Sequence, residues 1–158
     1  MVNAETSVAI RKVDAASFDD FLSLIIKLAE YENLSPPDAD AQGRLRRDCL
    51  SDKPKYSAYI VTVEGKPAAY IIYFFTYSSF LALPTLFLED IFVLDEYRKR
   101  GVGKRLFDFV KQTAKEAGCG RIEFTVLKWN KLAQGFYAEN KAKCLDDWYF
   151  YRVVKEDF

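Results

Sequence analysis

"TLFLEDIFVLDEYRKRGVGKRLF", Thr85 to Phe107, decides how the chain folds. Its first part, Thr85–Leu94, is apolar on both faces, as a central strand of a covered sheet must be. Its end opens a helix, with Leu106, Phe107, Phe109, Val110, Thr113 and Ala114 at helical spacing and Gly118 as the stop. Between the two lie Gly101, Gly103 and five cations: Arg98, Lys99, Arg100, Lys104 and Arg105. A strand that runs into Gly-x-Gly and then a helix makes an anion site. The first helical turn leaves backbone N–H groups unpaired, and the helix dipole adds positive potential there. Glycines let a bulky diphosphate approach the backbone. The same pattern also suits a plain strand–turn–helix junction with solvated cations, or a basic patch for nucleic acid. It is no Rossmann fingerprint, since the third glycine is missing, and no P-loop, since the GKS/T ending is missing.

Bulk composition narrows these readings. At 158 residues, half of them hydrophobic, the chain suits one globular domain, 1–158, with a proper core. A net charge of zero argues against a dedicated nucleic-acid binder. The three cysteines, Cys49, Cys119 and Cys144, have no metal spacing. They are expected to be reduced packing residues in a cytoplasmic protein. The N-terminus has no basic start followed by an apolar block, and the run "AAYIIYFF" is too short for a membrane span. With no histidine in the chain, Ser–His and Cys–His schemes and most zinc sites are excluded. No metal is expected.

Outward from the opening stretch, the chain reads β-α-α-β-β-β-α-β-α-β around a mixed sheet, an α/β class. Thr6–Val13 alternates as a strand. Ser17 with Asp20 suggests a capping box for a helix through Leu28 and Ala29. Ser35–Gly43 is turn-rich, and Gly43–Leu50 reads as a weaker helix. Lys55–Val63 and Ala68–Tyr77 form a hairpin about "EGKP". Arg121–Leu127 is a strand, Asn130–Asn140 a short helix capped by Asn130, and Trp148–Val154 a closing strand.

With the elements in place, "EYRKRGVGKRLFDFV" matches R/Q-x-x-G-x-G/A, the motif of the Gcn5-related N-acetyltransferases, through Arg98, Gly101 and Gly103. The chain resembles that family over nearly its whole length. "YFFTYSSF", "LKWN", "GFYAENKA" and "IIKLAEYENL" are similar to its diamine (spermidine/spermine) and thialysine branch. The resemblance implies a mostly antiparallel sheet with splayed central strands flanked by helices. It implies acetyl-CoA as cosubstrate, a small-molecule amine as acceptor and a homodimer, with neither nucleic acid nor membrane as partner. The coenzyme positions it implies are Ile91, Phe92 and Val93, Arg98, Lys99, Arg100, Gly101, Val102, Gly103 and Lys104, and Asn130 and Ala133.

Amine acetylation needs a base for the ammonium, a donor for the oxyanion and an acid for the departing thiolate. Glu89 is the candidate base, through a water. It stands with Asp90 inside an apolar strand, where burial is expected to raise its pKa. By strand alternation the two carboxylates face opposite ways unless a bulge intervenes. Tyr137, at the family's "FY" position, is the candidate acid. Tyr31, Glu32, Asp90 and Trp148 match the amine pocket, where they could hold a second ammonium. Ser78 and Phe80 stand where polyamine acetyltransferases carry an acid and a tryptophan, which shifts weight to a shorter diamine or a lysine-like amine. Lys141 replaces a helix-ending glycine, and Asn140 is expected to take the left-handed turn in its stead. An acetyltransferase of a protein or peptide amine, and a non-catalytic anion or nucleic-acid binding module, are the alternatives.

Overall fold

A computed structural model describes residues 7–158. The chain divides into two compact units: the first runs to Phe124, the second is Thr125–Phe158. In the first unit five strands lie in the order β1-β2-β3-β4-β5. They are β1 (Val8–Lys12), β2 (Ser57–Val63), β3 (Lys66–Ser78), β4 (Leu83–Val93) and β5 (Arg121–Glu123). The first three pairings are antiparallel, and only β4 with β5 is parallel. Helices α1 (Phe18–Glu32) and α2 (Ala39–Leu50) precede β2, and α3 (Val102–Glu116) joins β4 to β5.

Register fixes which side chains face which helix. Tyr70 pairs with Phe92, and Ile72 with Asp90, on one face of β3 and β4. With Ala58 and Ile60 of β2, Tyr70, Ile72 and Phe92 form a core cluster with Phe18, Phe21 and Leu24 of α1 and Cys49 of α2. Phe21 meets the Tyr70 ring edge-on at 5.4 Å, a geometry worth about 0.5–1.5 kcal/mol beyond area burial. On the other face Tyr59 stacks beside Tyr73 and meets Phe109 of α3 at 4.8 Å.

Several expected elements differ in extent. Thr6, the start of the first expected strand, lies outside the described residues. Ser17 precedes α1 but makes no cap bond to it. Its hydroxyl instead donates to Asp14 Oδ1 at 2.8 Å and accepts from the Asp14 N–H at 3.0 Å, so the expected capping box is replaced by a bond looking backwards. The second helix begins at Ala39, inside the stretch expected to be turn, because Asp38 caps it by accepting from the Ala41 N–H at 2.8 Å. The hairpin turn forms at Glu64 and Gly65, both at positive φ.

In the second unit α4 (Lys131–Glu139) is capped as expected: Asn130 Oδ1 accepts from the Ala133 N–H at 3.0 Å. At its other end Lys141, not Asn140, takes the left-handed conformation, with φ 68 against −90 for Asn140. Asn140 is instead buried, and its side-chain amide donates to the Phe136 carbonyl. The closing strand expected over Trp148–Val154 is not formed. That stretch is exposed and has no sheet partner among the described residues. Its aromatic alternation suits a strand, but a strand needs an edge to pair with, and sequence alternation cannot supply one.

Candidate active site

β4 carries the candidate site, and a bulge shapes the strand there. Ile72 of β3 faces Asp90 but Tyr73 faces Leu88, so Glu89 is the extra residue between two pairs. The bulge changes the face of the strand midway. Leu86 and Leu88 join the side of Tyr73 and Phe75, whereas Asp90 and Phe92 join the side of Ile72 and Tyr70. Without it, Leu88 and Phe92 would share a face and one of the two would leave its core.

The consequence reverses one expectation. Glu89 is exposed, and Asp90 beside it is half-buried. Burial, reinforced by the charges of Glu89 and Glu32, pushes its carboxyl up to about 6 against the hydrogen bond that Tyr70 Oη donates to Oδ2 at 3.2 Å. Glu32, at the end of α1, is also raised by burial. Among the described residues no lysine or arginine forms an ion pair with Glu32, Glu89 or Asp90. Among those residues, too, no three acidic, cysteine or histidine side chains converge as a metal-holding set. Unpaired carboxylates in one region make a field that favours cations.

β4 also leaves an edge open. Its pairing with β5 is confined to Thr85–Phe87 against Arg121–Glu123. The strand expected to reach Leu127 therefore stops at Glu123, and from Leu88 to Val93 no described strand lies on that side. Ile91, Phe92 and Val93 lie on this stretch, where backbone groups can take an added strand-like ligand.

Beyond β4 the chain turns through a short 3₁₀ segment, Asp95–Tyr97, into α3. Gly101 sits at the α3 N-cap with φ 79, and no side chain caps the helix. A methyl group on Gly101 would meet no atom within 4 Å, so the approach to the first-turn N–H groups is open. Val102 is buried as the helix anchor, Gly103 half-buried, and Lys104 exposed in a pair with Asp108. Arg98 is engaged elsewhere. Its Nε donates to the Val93 carbonyl at 2.9 Å, it pairs with Asp95, and its guanidinium lies 4.7 Å from the Tyr31 ring centre and 5.7 Å from that of Phe92. It ties the end of β4 to α1. Lys99 takes a left-handed φ of 57, and Arg100 lies against Tyr97. Both are exposed.

Tyr31 and Phe92 also line a groove of about 730 Å³ between α1 and the end of β4, with Lys27, Glu30 and Asp95 on its walls. Glu32, Glu89 and Asp90 do not line it.

The remaining residues named from sequence are dispersed. Ser78 is buried and its Oγ accepts from the Leu81 N–H at 3.2 Å, closing the β3–β4 turn. Phe80 is fully exposed at that turn. Six residues separate Ser78 from Ile72, the partner of Asp90, which is about 20 Å of strand. In the second unit Tyr137 lies half-buried on α4 with its ring 5.3 Å from that of Phe136, Ala133 takes part in the helix cap, and Trp148 is exposed. Of the cysteines, Cys49 is in the core, Cys119 is half-buried and Cys144 is exposed, so only the first packs as expected. Sequence reading missed Tyr70, whose alternation with Ile72 marks it only as core.

Comparison with known proteins bears on the family and the fold. The family model described as "Acetyltransferase (GNAT) family" matches residues 22–141. The thialysine N-epsilon-acetyltransferase of Bos taurus is 33% identical over 160 residues, covering 94% of each chain. The spermidine/spermine N(1)-acetyltransferase-like protein 1 of Homo sapiens is 28% identical over 94% of this chain and 23% of its own length. Among solved structures, an integron cassette protein from the mobile metagenome of V. cholerae superposes with a TM-score of 0.78 at 21% identity, over 96% of this chain and 94% of that one. An α/β sheet of this topology, the strand–Gly-x-Gly–helix unit and the match over 22–141 lead to one conclusion: this chain belongs to the GNAT family and is an N-acetyltransferase.

Proposed function

We propose that the protein transfers the acetyl group of acetyl-CoA to a primary amine of a small diamine, polyamine or lysine-like substrate, by direct attack in a ternary complex. The observation that carries this reading is the group of carboxylates around the β4 bulge, Glu32, Glu89 and Asp90, with no cation of the described chain paired to them. A cationic substrate supplies what that region lacks. The name of the bovine relative, an acetyltransferase of a lysine analogue, favours the lysine-like end of the range.

The residues present fit the cosubstrate. GNAT acetyltransferases use acetyl-CoA. The uncapped, open α3 N-terminus at Gly101 suits its diphosphate, and the free edge from Leu88 to Val93 suits its pantetheine arm. When bound, acetyl-CoA supplies the acetyl thioester. The chain does the rest. Exposed Glu89 accepts a proton from the substrate ammonium through a water, since an amine of pKa near ~10.4 must first be neutralised. A backbone N–H of the β4 edge donates to the developing oxyanion. Tyr137 Oη gives its proton to the leaving sulfur. Asp90, Glu32 and Tyr31 hold a second positive charge of the substrate, and Trp148 is a further substrate-binding residue. The whole chain acts as one acetyltransferase domain, in a cytoplasmic homodimer.

The test is an amine panel followed by coenzyme A release. Glu89→Gln should lower kcat by about 10²–10⁴ at neutral pH, and Tyr137→Phe should lower kcat with the KM for acetyl-CoA unchanged. If no small amine is acetylated while a peptide amine is, the substrate class is wrong. If Tyr137→Phe keeps full rate across the pH range, the acid is another group.

A further inference from the structure

Tyr70 has no part in the roles assigned above. Its ring is wholly buried on the α1 face of the sheet, 0% exposed, between Phe21 at 5.4 Å and Phe92 at 6.2 Å. A hydroxyl in such a place is costly unless it is paired. A phenylalanine would fill the same space without that cost. The hydroxyl has one charged partner: it donates to Asp90 Oδ2. Register explains the reach. Tyr70 stands opposite Phe92 and Asp90 opposite Ile72, so the two are diagonal neighbours on one face, at about 7–8 Å between Cα atoms.

We propose that Tyr70 is a positioning residue of the amine site, whose hydroxyl orients the Asp90 carboxylate and sets the pH above which that carboxylate can accept a substrate ammonium. The proposal rests on the small-amine acetyltransferase reading above. The charged and titratable groups facing Asp90 are Glu89 on its own strand, Tyr70 on β3 and Glu32 on α1. None is a cation, and Arg98 is tied to Val93 and Asp95. Burial, Glu89 and Glu32 each favour the protonated form of Asp90, and the Tyr70 hydrogen bond opposes them. Removing the hydroxyl therefore leaves Asp90 protonated to higher pH. A bound ammonium acts the other way, because it favours the carboxylate.

The experiment measures coenzyme A release by the full chain, wild type beside Tyr70→Phe, with the diamine putrescine and the monoamine butylamine as probes. In the variant the acid limb of kcat/KM for putrescine should move to higher pH. The KM for putrescine should rise about tenfold, with kcat at alkaline pH held within about twofold and butylamine affected less. An acid limb and a diamine preference that both stay in place overturn the proposal. A second measurement decides it if the variant does not fold or if neither amine turns over, the latter result counting against the acetyl-transfer reading instead. In a ¹³C titration of the wild type, the Tyr70 Cζ and Asp90 Cγ resonances, the latter assigned with Asp90→Asn, should titrate together and their shared midpoint should fall when putrescine is added. A Tyr70 resonance blind to the Asp90 titration, or a midpoint that putrescine does not move, overturns it.

Discussion

Gly101 and Gly118 bracket α3 and allow a matched experiment on the diphosphate cradle. Both have positive φ, 79 and 67, and an added methyl group meets no atom within 4 Å at either. Alanine at each therefore incurs the same backbone cost and no steric clash, about 1–2 kcal/mol. For a chain of this size that lowers Tm by about 2–8 °C in each variant. Function should separate them. The 15 residues of α3 span about 22 Å, so the two glycines lie beyond opposite ends of the helix. In the proposed cradle the diphosphate approaches the first-turn N–H groups through the empty space in front of the Gly101 Cβ position; at Gly118 that space is open solvent. Gly101→Ala should thus raise the KM for acetyl-CoA about tenfold or more, equivalent to about 1.4 kcal/mol of lost binding, while Gly118→Ala leaves it within about twofold. Thermal melts and coenzyme A release at varied acetyl-CoA give both numbers from the same samples. Equal KM values in two variants equally destabilised would refute the cradle. A Gly101→Ala melt unchanged from wild type would refute the strain argument itself.

Two further outcomes concern stability. The Asp90 carboxyl rises from 3.8 to about 6, chiefly by burial. Between those values the unfolded chain releases its proton while the folded chain keeps it, so wild-type stability falls as pH rises through this window. The full cost, about 3 kcal/mol at most, applies above the folded value. Asp90→Asn should therefore be more stable than wild type above about pH 6 and no more stable below about pH 4; urea unfolding of both at the two pH values checks this, and an advantage independent of pH would count against it. Lys141 holds a left-handed φ of 68 after α4, so Lys141→Gly should gain about 1 kcal/mol and raise Tm by about 2–4 °C. A Tm that stays or falls means other contacts offset the strain.

A carboxylate kept half-buried without a cation costs stability, a trade common at functional sites. Arg98 illustrates a related division of labour. The motif arginine invites a phosphate role, yet its donors are directed to the Val93 carbonyl and Asp95 and its face to Tyr31 and Phe92. It ties the strand end to α1. The ring of Tyr31, proposed for the amine pocket, thereby touches the side chain that begins the proposed coenzyme loop.

Sequence alone determined the features whose causes are local. Apolar periodicity located α1, α3 and β4 within a few residues. Asn130 declared itself as a helix cap, and the glycine pair after an apolar strand marked the start of α3. Each depends on residues a few positions apart, so the information lies in one window. Tertiary structure decided what depends on pairing between distant segments. The bulge at Glu89 exists only in register with β3, and it decides which carboxylate is covered: Glu89 is exposed, while Asp90 is half-buried and burial raises its pKa. β5 stops at Glu123 and Trp148–Val154 forms no strand, because strand length is set by an available neighbour and alternation records only the propensity. Ser78 and Phe80, close in sequence to the core of β3, end about 20 Å of strand away from Asp90. Tyr70 reads as one more tyrosine among ten until the sheet sets its hydroxyl against Asp90. No local pattern encodes that contact, since the residues that make it are 20 positions apart and meet only across two strands.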